Sequence, residues 1–227
     1  MAISQKEAVM SKYGHRTQNW FEAIVNKIGG EDAAERFLRD ELVVSESPCR
    51  WREQDGVIYF SVTSDGTTGE VWIKRLEGKG FRASNYAKSL LRSPDFKSTN
   101  GVTYEVAVLK GMLFKDNDRI MKKIRVEADK RKLTKPNVEV ACLIREKFTD
   151  KELEAMGLWW IVVMHEPIKD SDGDPNLLDV NRNDNGQWLN AYYDNPDNRW
   201  NRDNGFAFVA SQLTSFLSRL FTWRVLF

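Results

Sequence analysis

Cysteine and histidine are scarce in this chain and its charges nearly cancel, and each shortage removes a class of function. Among 227 residues there are two cysteines, Cys49 and Cys142, and two histidines, His15 and His165. Two isolated cysteines form neither a metal-ligand spacing nor a disulfide framework. Cys142, inside the apolar run Val140-Ala141-Cys142-Leu143-Ile144, reads as a small core hydrophobe. With 34 basic against 33 acidic residues the net charge is +1, so no global field recruits nucleic acid or an anionic membrane. No apolar run approaches the roughly 18 residues of a membrane span. The N-terminal stretch MAISQKEAVMSKYGHR lacks a signal-peptide core, which leaves a cytoplasmic location as the expectation. No Gly-rich phosphate loop follows a strand, Gly101 and Gly111 read as lone turn glycines, and no serine sits in a nucleophile elbow. The expectation is a non-enzyme without cofactor or metal.

What the chain does have is a core. Hydrophobic residues make up 41% and tryptophan occurs eight times, enough for one large domain or two small ones. From Gln5 to about Leu42 the pattern is helical: Trp20, Phe21, Ile24, Val25 and Ile28 fall at spacings of three and four, Gly29-Gly30 breaks the run, and a second helix follows from Glu31. Ser45 to Pro48 reads as a short connection. Val57 to Thr63 alternates like a strand between Asp55-Gly56 and Asp65-Gly66. Thr67 to Glu70 resembles a capping box opening a helix that Gly78-Lys79-Gly80 ends, and Ser84 to Leu91 predicts another. A turn at Asn100-Gly101 is expected before a strand over Thr103 to Leu109. Asp116 to Lys132 predicts one charged helix, bearing eight Lys or Arg counted from Lys115. Further helices are expected after Lys135-Pro136-Asn137 and after Thr149. Leu158 to Met164, the most apolar run, predicts a central strand buried on both faces.

The stretch from Asp170 to Gly205 is unlike the rest. It carries nine asparagines, interleaved with aspartates and the pair Tyr192-Tyr193, and apolar anchors at Leu177, Leu178, Trp188, Leu189 and Trp200. Asn, Asp, Gly and Pro favour turns because their side chains bond nearby backbone or tolerate positive φ. Disordered polar tracts lack such large apolar residues, so the pattern predicts a long surface loop pinned by Trp188 and Trp200 and closed by the strand Gly205 to Ala210. Asn, Tyr and Asp at exposed positions supply adaptable hydrogen bonds and rigid contact area, the chemistry of binding loops on a scaffold.

The strand Leu158 to Pro167, the Asn/Tyr/Asp-rich tract with its tryptophans and the closing Gly205-Phe206-Ala207-Phe208-Val209 resemble the C-terminal part of the variable proteins of diversity-generating retroelements. The resemblance covers about Val138 to Ala210. It implies an α+β, C-type-lectin-like fold, in which an error-prone reverse transcriptase rewrites adenines in the segment encoding the surface. The implied organisation is a helical hairpin over residues 1–48, the lectin-like domain over 49–210 with a variable region at about 176–204, and an apolar tail over 211–227. The implied function is recognition of a protein or surface ligand. Its surface would comprise Asp179, Asn181, Asn183, Asn185, Asn190, Tyr192, Tyr193, Asp194, Asn195, Asn198, Asn201, Asp203 and Asn204. Leu177, Trp188, Leu189, Trp200, Phe206 and Phe208 would be the structural anchors. The N-terminal helices or the aromatic tail, Leu213 to Phe227, offer surfaces for oligomerisation.

Glu166-Pro167 is followed by Ile168, and Trp200-Asn201 by Arg202, so the Glu-Pro-Asn and Trp-Asn-Asp motifs of calcium-dependent sugar binding are both broken. Asp170, Asp172 and Asp174 open like a calcium loop, but Asn181 stands where the bidentate Glu belongs. His165 and Glu166 could serve as acid and base only by converging, which adjacent strand residues do not do. The alternative function is a nucleic-acid-associated or regulatory protein using the basic segment 115–132, although Asp116, Asp118, Glu127 and Asp129 interleave with its cations.

Overall fold

The computed structural model describes residues 17–42, 50–170, 172–183 and 185–210. The part of the expected helical stretch before Thr17, the connection Ser45 to Pro48, His15, Cys49 and the apolar tail Leu213 to Phe227 lie outside the described residues. Backbone contacts divide the chain into Met1–Cys49 and Arg50–Phe227.

The first unit contains α1 (Gln18–Ile28) and α2 (Glu31–Leu38), joined at Gly29 and Gly30. Both glycines have positive φ, which an L side chain resists, and that sharp turn separates two amphipathic runs as their spacing predicts. Neither helix has a buried residue.

The second unit is mixed α+β, built on one ten-stranded sheet. Its strands are β1 (Arg52–Gln54), β2 (Val57–Asp65), β3 (Arg82–Ala83), β4 (Asn100–Lys110), β5 (Leu133–Thr134), β6 (Trp160–Val163), β7 (Ile168–Lys169), β8 (Pro175–Asn183), β9 (Gly186–Tyr193) and β10 (Asn204–Ala210). The spatial order is β1-β2-β4-β10-β6-β8-β9-β3, with β5 paired to β10 and β7 to β8. The run Leu158 to Met164 does supply a central strand. β6 lies between β10, to which it is parallel, and β8, to which it is antiparallel, and Ile161, Val162 and Val163 are fully buried.

Helices α3 (Gly69–Gly78), α4 (Asn85–Arg92), α6 (Val140–Lys147) and α7 (Asp150–Ala155) contribute Trp72, Leu76, Leu90, Ile144 and Leu153 to a core on one side of the sheet. On the other side α5 (Met121–Lys130) packs Met121, Ile124 and Ala128 against Leu109, Val162, Phe206 and Trp200. Alternation along each strand sorts side chains between these layers: Ile161 and Val163 face the first core, Val162 and Met164 the second.

Three local expectations differ from the structure. Thr67 does not cap α3: its backbone N–H and hydroxyl bond the Asp65 carboxylate instead, and a reciprocal capping box stands at Thr149 and Glu152. Asn100-Gly101 is not a turn between elements but the start of β4, where a register irregularity precedes the Asp65–Asn100 pair. The charged segment is not one helix. A 3₁₀ turn (Asp116–Asp118) and a bridge between Ile120 and Arg199 precede α5, because the backbone of this segment is committed to the loop before β10.

Candidate functional site

Most of the Asn-rich stretch is sheet, not loop. β8 and β9 pair in register from Asn176–Tyr193 to Asn183–Gly186, with Asn185 at the tip between them. The turn residues concentrate at this tip, while the interior alternates. On the helix-covered side lie Leu178, Val180 and Leu189, all fully buried, with Ala191 packed against them. The opposite side carries Leu177, Asp179, Asn181 and Asn183 from β8, facing Tyr192, Asn190, Trp188 and Gly186 of β9. One hairpin therefore separates an apolar face from an amide-rich one.

The remainder, 194–203, is a genuine loop, held from below by the segment around α5. Trp200 N–H donates to the Arg119 carbonyl, Met121 N–H to Asn198 and Lys122 N–H to Pro196. The buried Arg119 guanidinium donates to the carbonyls of Gly111, Phe114 and Trp200 and to Asp116. Gly111 admits the loop because it lacks a Cβ, which would come within 2.4 Å of the Asn201 carbonyl oxygen. Arg125 forks onto both carboxylate oxygens of Asp194 at 2.6 Å. Lys122 pairs with Asp197, Lys123 with Asp118, and Lys130 and Arg131 with Glu127. Most of the cations that suggested a nucleic-acid surface thus meet carboxylates.

The residues expected on the surface divide into four groups. Asp179, Asn181 and Asn204 are corrections: at 0%, 7% and 3% exposure they are interior. Asp179 and Asn181 lie on an inner strand that β6 and β9 flank, and the Asn204 side chain accepts the Asn201 N–H to close the turn before β10. Asn183 and Asn185 stand exposed at the hairpin tip, and Asn190 and Tyr192 are half-buried on its amide-rich face. Tyr193, half-exposed, alternates to the helix side. Asp194, Asn195, Asn198, Asn201 and Asp203 belong to the loop, where Asn195 accepts the Asp197 N–H and the Asn198 amide donates to the Tyr193 carbonyl.

Among the anchors, Leu177, Leu189, Phe206, Phe208 and Trp200 are buried as expected. Trp188 is not. It lies half-buried on the amide-rich face, under the Arg82 guanidinium at 5.4 Å, and donates its indole N–H to Asn183. Trp160, Tyr192 and Trp200 form a continuous aromatic cluster with centroids 4.7 to 5.9 Å apart, Trp160 edge-to-face with both and Tyr192 tilted against Trp200.

Beside that cluster is a cavity of about 360 Å³, lined by Ser84, Trp159, Trp160, Asn181, Arg182, Asn183, Trp188 and Asn190. Ser84 enters because β3 pairs with β9 at Ala83–Leu189 and α4 begins there, with the Ser84 hydroxyl capping Ala87 N–H. Neither Ser84 nor Trp160 was legible as a site residue. The first is about 100 positions away in sequence, and the second is embedded in the most apolar run. Next to this lining the Asp179 carboxyl has one oxygen bonded by the Asn181 amide at 2.9 Å and the other without a partner. Burial pushes the Asp179 pKa up to about 7, against the pull of the Asn181 amide and the Trp160 indole. The Trp160 indole N–H faces the Asp179 carboxyl without completing a hydrogen bond, and among the described residues the buried Trp200 indole N–H has no partner.

His165 and Glu166 diverge. His165 is buried, with Nε2 accepting the Leu178 N–H and Nδ1 donating to the Glu166 carbonyl, and burial lowers its pKa to about 4. The Glu166 side chain points to solvent and pairs with Lys135. Asp170 uses its carboxylate internally, accepting from the backbone of Asp172 and Asp174 and from the Asn176 amide. Among the described residues no three His, Cys, Asp or Glu side chains cluster as metal ligands, and no helix is long and apolar enough to cross a membrane. No family model, curated protein or solved structure matches this chain.

Proposed function

We propose that the second unit is a non-catalytic recognition module, a C-type-lectin-like variable protein of a diversity-generating retroelement. Its binding surface would be the amide-rich face of the β8–β9 hairpin together with the loop 194–203. The observation that carries this reading is the separation of chemistry across the hairpin. Leu178, Val180 and Leu189 hold the core from one face, so Asn183 and Asn190 on the other can change without disturbing that packing, while Tyr192 beside them packs against Trp160 and Trp200. Asn185 at the tip and Asn195, Asn198, Asn201 and Asp203 in the loop extend the changeable surface. Asp179 and Asn204 would instead support it from below, and Asn181 would form part of the cavity wall.

Partners of this surface would be a protein or another surface ligand, since Tyr, Trp and Asn give adaptable contacts over a broad area. The charge pairing along α5 argues against the nucleic-acid alternative, because a cation already meeting a carboxylate releases fewer counterions from phosphate. Sequencing the locus tests the proposal. A near-copy of the segment encoding Asn176 to Ala210 that differs only at adenines, beside a reverse-transcriptase gene, is the expected result. A locus with neither would remove the retroelement from the reading.

A further inference from the structure

The cavity over the hairpin has a definite hydrogen-bonding character. Among the described residues Asn190, half-buried in its wall, has no side-chain hydrogen-bond partner and so offers both a donor and an acceptor. Asn183 spends its carbonyl oxygen on Asn185 N–H and the Trp188 indole, leaving its NH₂ to donate. Asn181 spends its NH₂ on Asp179, leaving its oxygen to accept. Ser84 accepts from Ala87 N–H and keeps its own proton to donate. Between these groups stand the indole surfaces of Trp160 and Trp188.

Formal charge is nearly absent from this lining. Arg182, its one cation, stacks on Trp159 at 4.5 Å and lies 3.8 Å from Glu154. The Asp179 carboxyl beside the cavity is held largely in its neutral form below pH 7 by burial. A nucleotide or an acidic peptide would find here only Arg182 and, over the Trp188 indole at 5.4 Å, Arg82. A group dense in hydroxyls, each of which donates and accepts, matches the amides, and its C–H face matches the indoles. The volume of about 360 Å³ sits at the small end of ligand sites and suits one or two sugar rings.

We infer that this cavity binds a neutral glycosyl residue, with hydroxyls on Asn181, Asn183, Asn190 and Ser84 and a ring face against Trp188 or Trp160, without a metal ion. The inference rests on the recognition reading above and names a ligand class for the same face. The test uses the full chain on an array of neutral glycans ending in glucose, galactose, mannose, N-acetylglucosamine or N-acetylgalactosamine. It is followed by titration of each positive glycan against intrinsic tryptophan fluorescence, with and without a chelator.

Saturable, chelator-insensitive binding is expected, weakened about tenfold or more in Trp188→Ala and in Asn190→Ala. Lys74→Ala, on the exposed side of α3, should bind as the parent does. Asn190→Ala removes no hydrogen bond among the described residues, so it reports on the site even where Trp188→Ala is poorly folded. An array without a positive glycan, or binding indifferent to Asn190→Ala and Trp188→Ala, overturns the inference. The two levels separate cleanly. An adenine-directed near-copy at the locus with no glycan bound removes the ligand class alone, and glycan binding without such a copy removes the retroelement alone.

Discussion

On the helix side of the β8–β9 hairpin, Leu178, Val180 and Leu189 are sealed from solvent, whereas on the other side Asn183, Trp188, Asn190 and Tyr192 stay partly open. Both sets come from the same two strands at alternate positions. Burial on the first side makes each methyl group count, since a vacated core position loses its contacts and leaves a cavity. Openness on the second side makes most single changes nearly neutral. The asymmetry means that stability and recognition can be altered independently in adjacent residues, provided the interior carboxyl between them, Asp179, stays neutral.

The largest break of that comparison is Leu178→Ala, expected to cost about 2–5 kcal/mol in chemical denaturation. A loss below about 1 kcal/mol would show that the helix side is not the supporting face. Arg119→Ala comes next, at about 2–3 kcal/mol, because three carbonyls and Asp116 lose one shared donor group. Its effect should localise: amide exchange should quicken at Trp200 and Met121, whose N–H groups bond across this junction, ahead of the β4–β10 ladder.

Asp179→Asn sharpens the comparison through pH. The folded carboxyl holds its proton up to about pH 7, against an ordinary 3.8, so the stability it contributes is complete below about 3.8 and is lost as pH rises through 7. An amide stays neutral throughout. The variant should therefore match the parent near pH 4 and exceed it above pH 7 by on the order of 2 kcal/mol. Thermal melts across that range read the sign directly, and a variant less stable than the parent at pH 8 would contradict it. His165 works oppositely. Its folded pKa of about 4 lies below the ordinary 6.5, so its contribution is complete above 6.5 and lost as pH falls through 4. In the parent the two contributions oppose each other over that interval, so Asp179→Asn should weaken on acidification more steeply than the parent, and adding His165→Gln to it should flatten the decline. The smallest effects belong to Asn190→Ala and Asn185→Ala, within about 0.5 kcal/mol of the parent.

The legibility of these features follows from what each depends on. Strand β6 could be read because an unbroken apolar run needs burial on both faces wherever it is placed. The anchors Leu177, Leu189, Phe206 and Phe208 were legible for the same reason, and Thr149 with Glu152 because a capping box closes within four residues. Trp188 was misread as core because tryptophan serves equally well as an interior or a wall residue. Only pairing with Asn181 decided which face it took.

Hydrophobic periodicity, capping and composition by themselves determined that this chain has a helical hairpin, a mixed α+β unit with a central apolar strand, and an unusual amide-rich segment before its closing strand. Those are local properties, set by spacing along the backbone. The tertiary structure decided that the segment is a hairpin plus a pinned loop, that Asp179 and Asn181 are interior, and that Ser84 and Trp160 join the asparagines around one cavity. Strand order and register decide such matters, because they bring together residues separated by a hundred positions, and a shift of one residue would exchange the two faces.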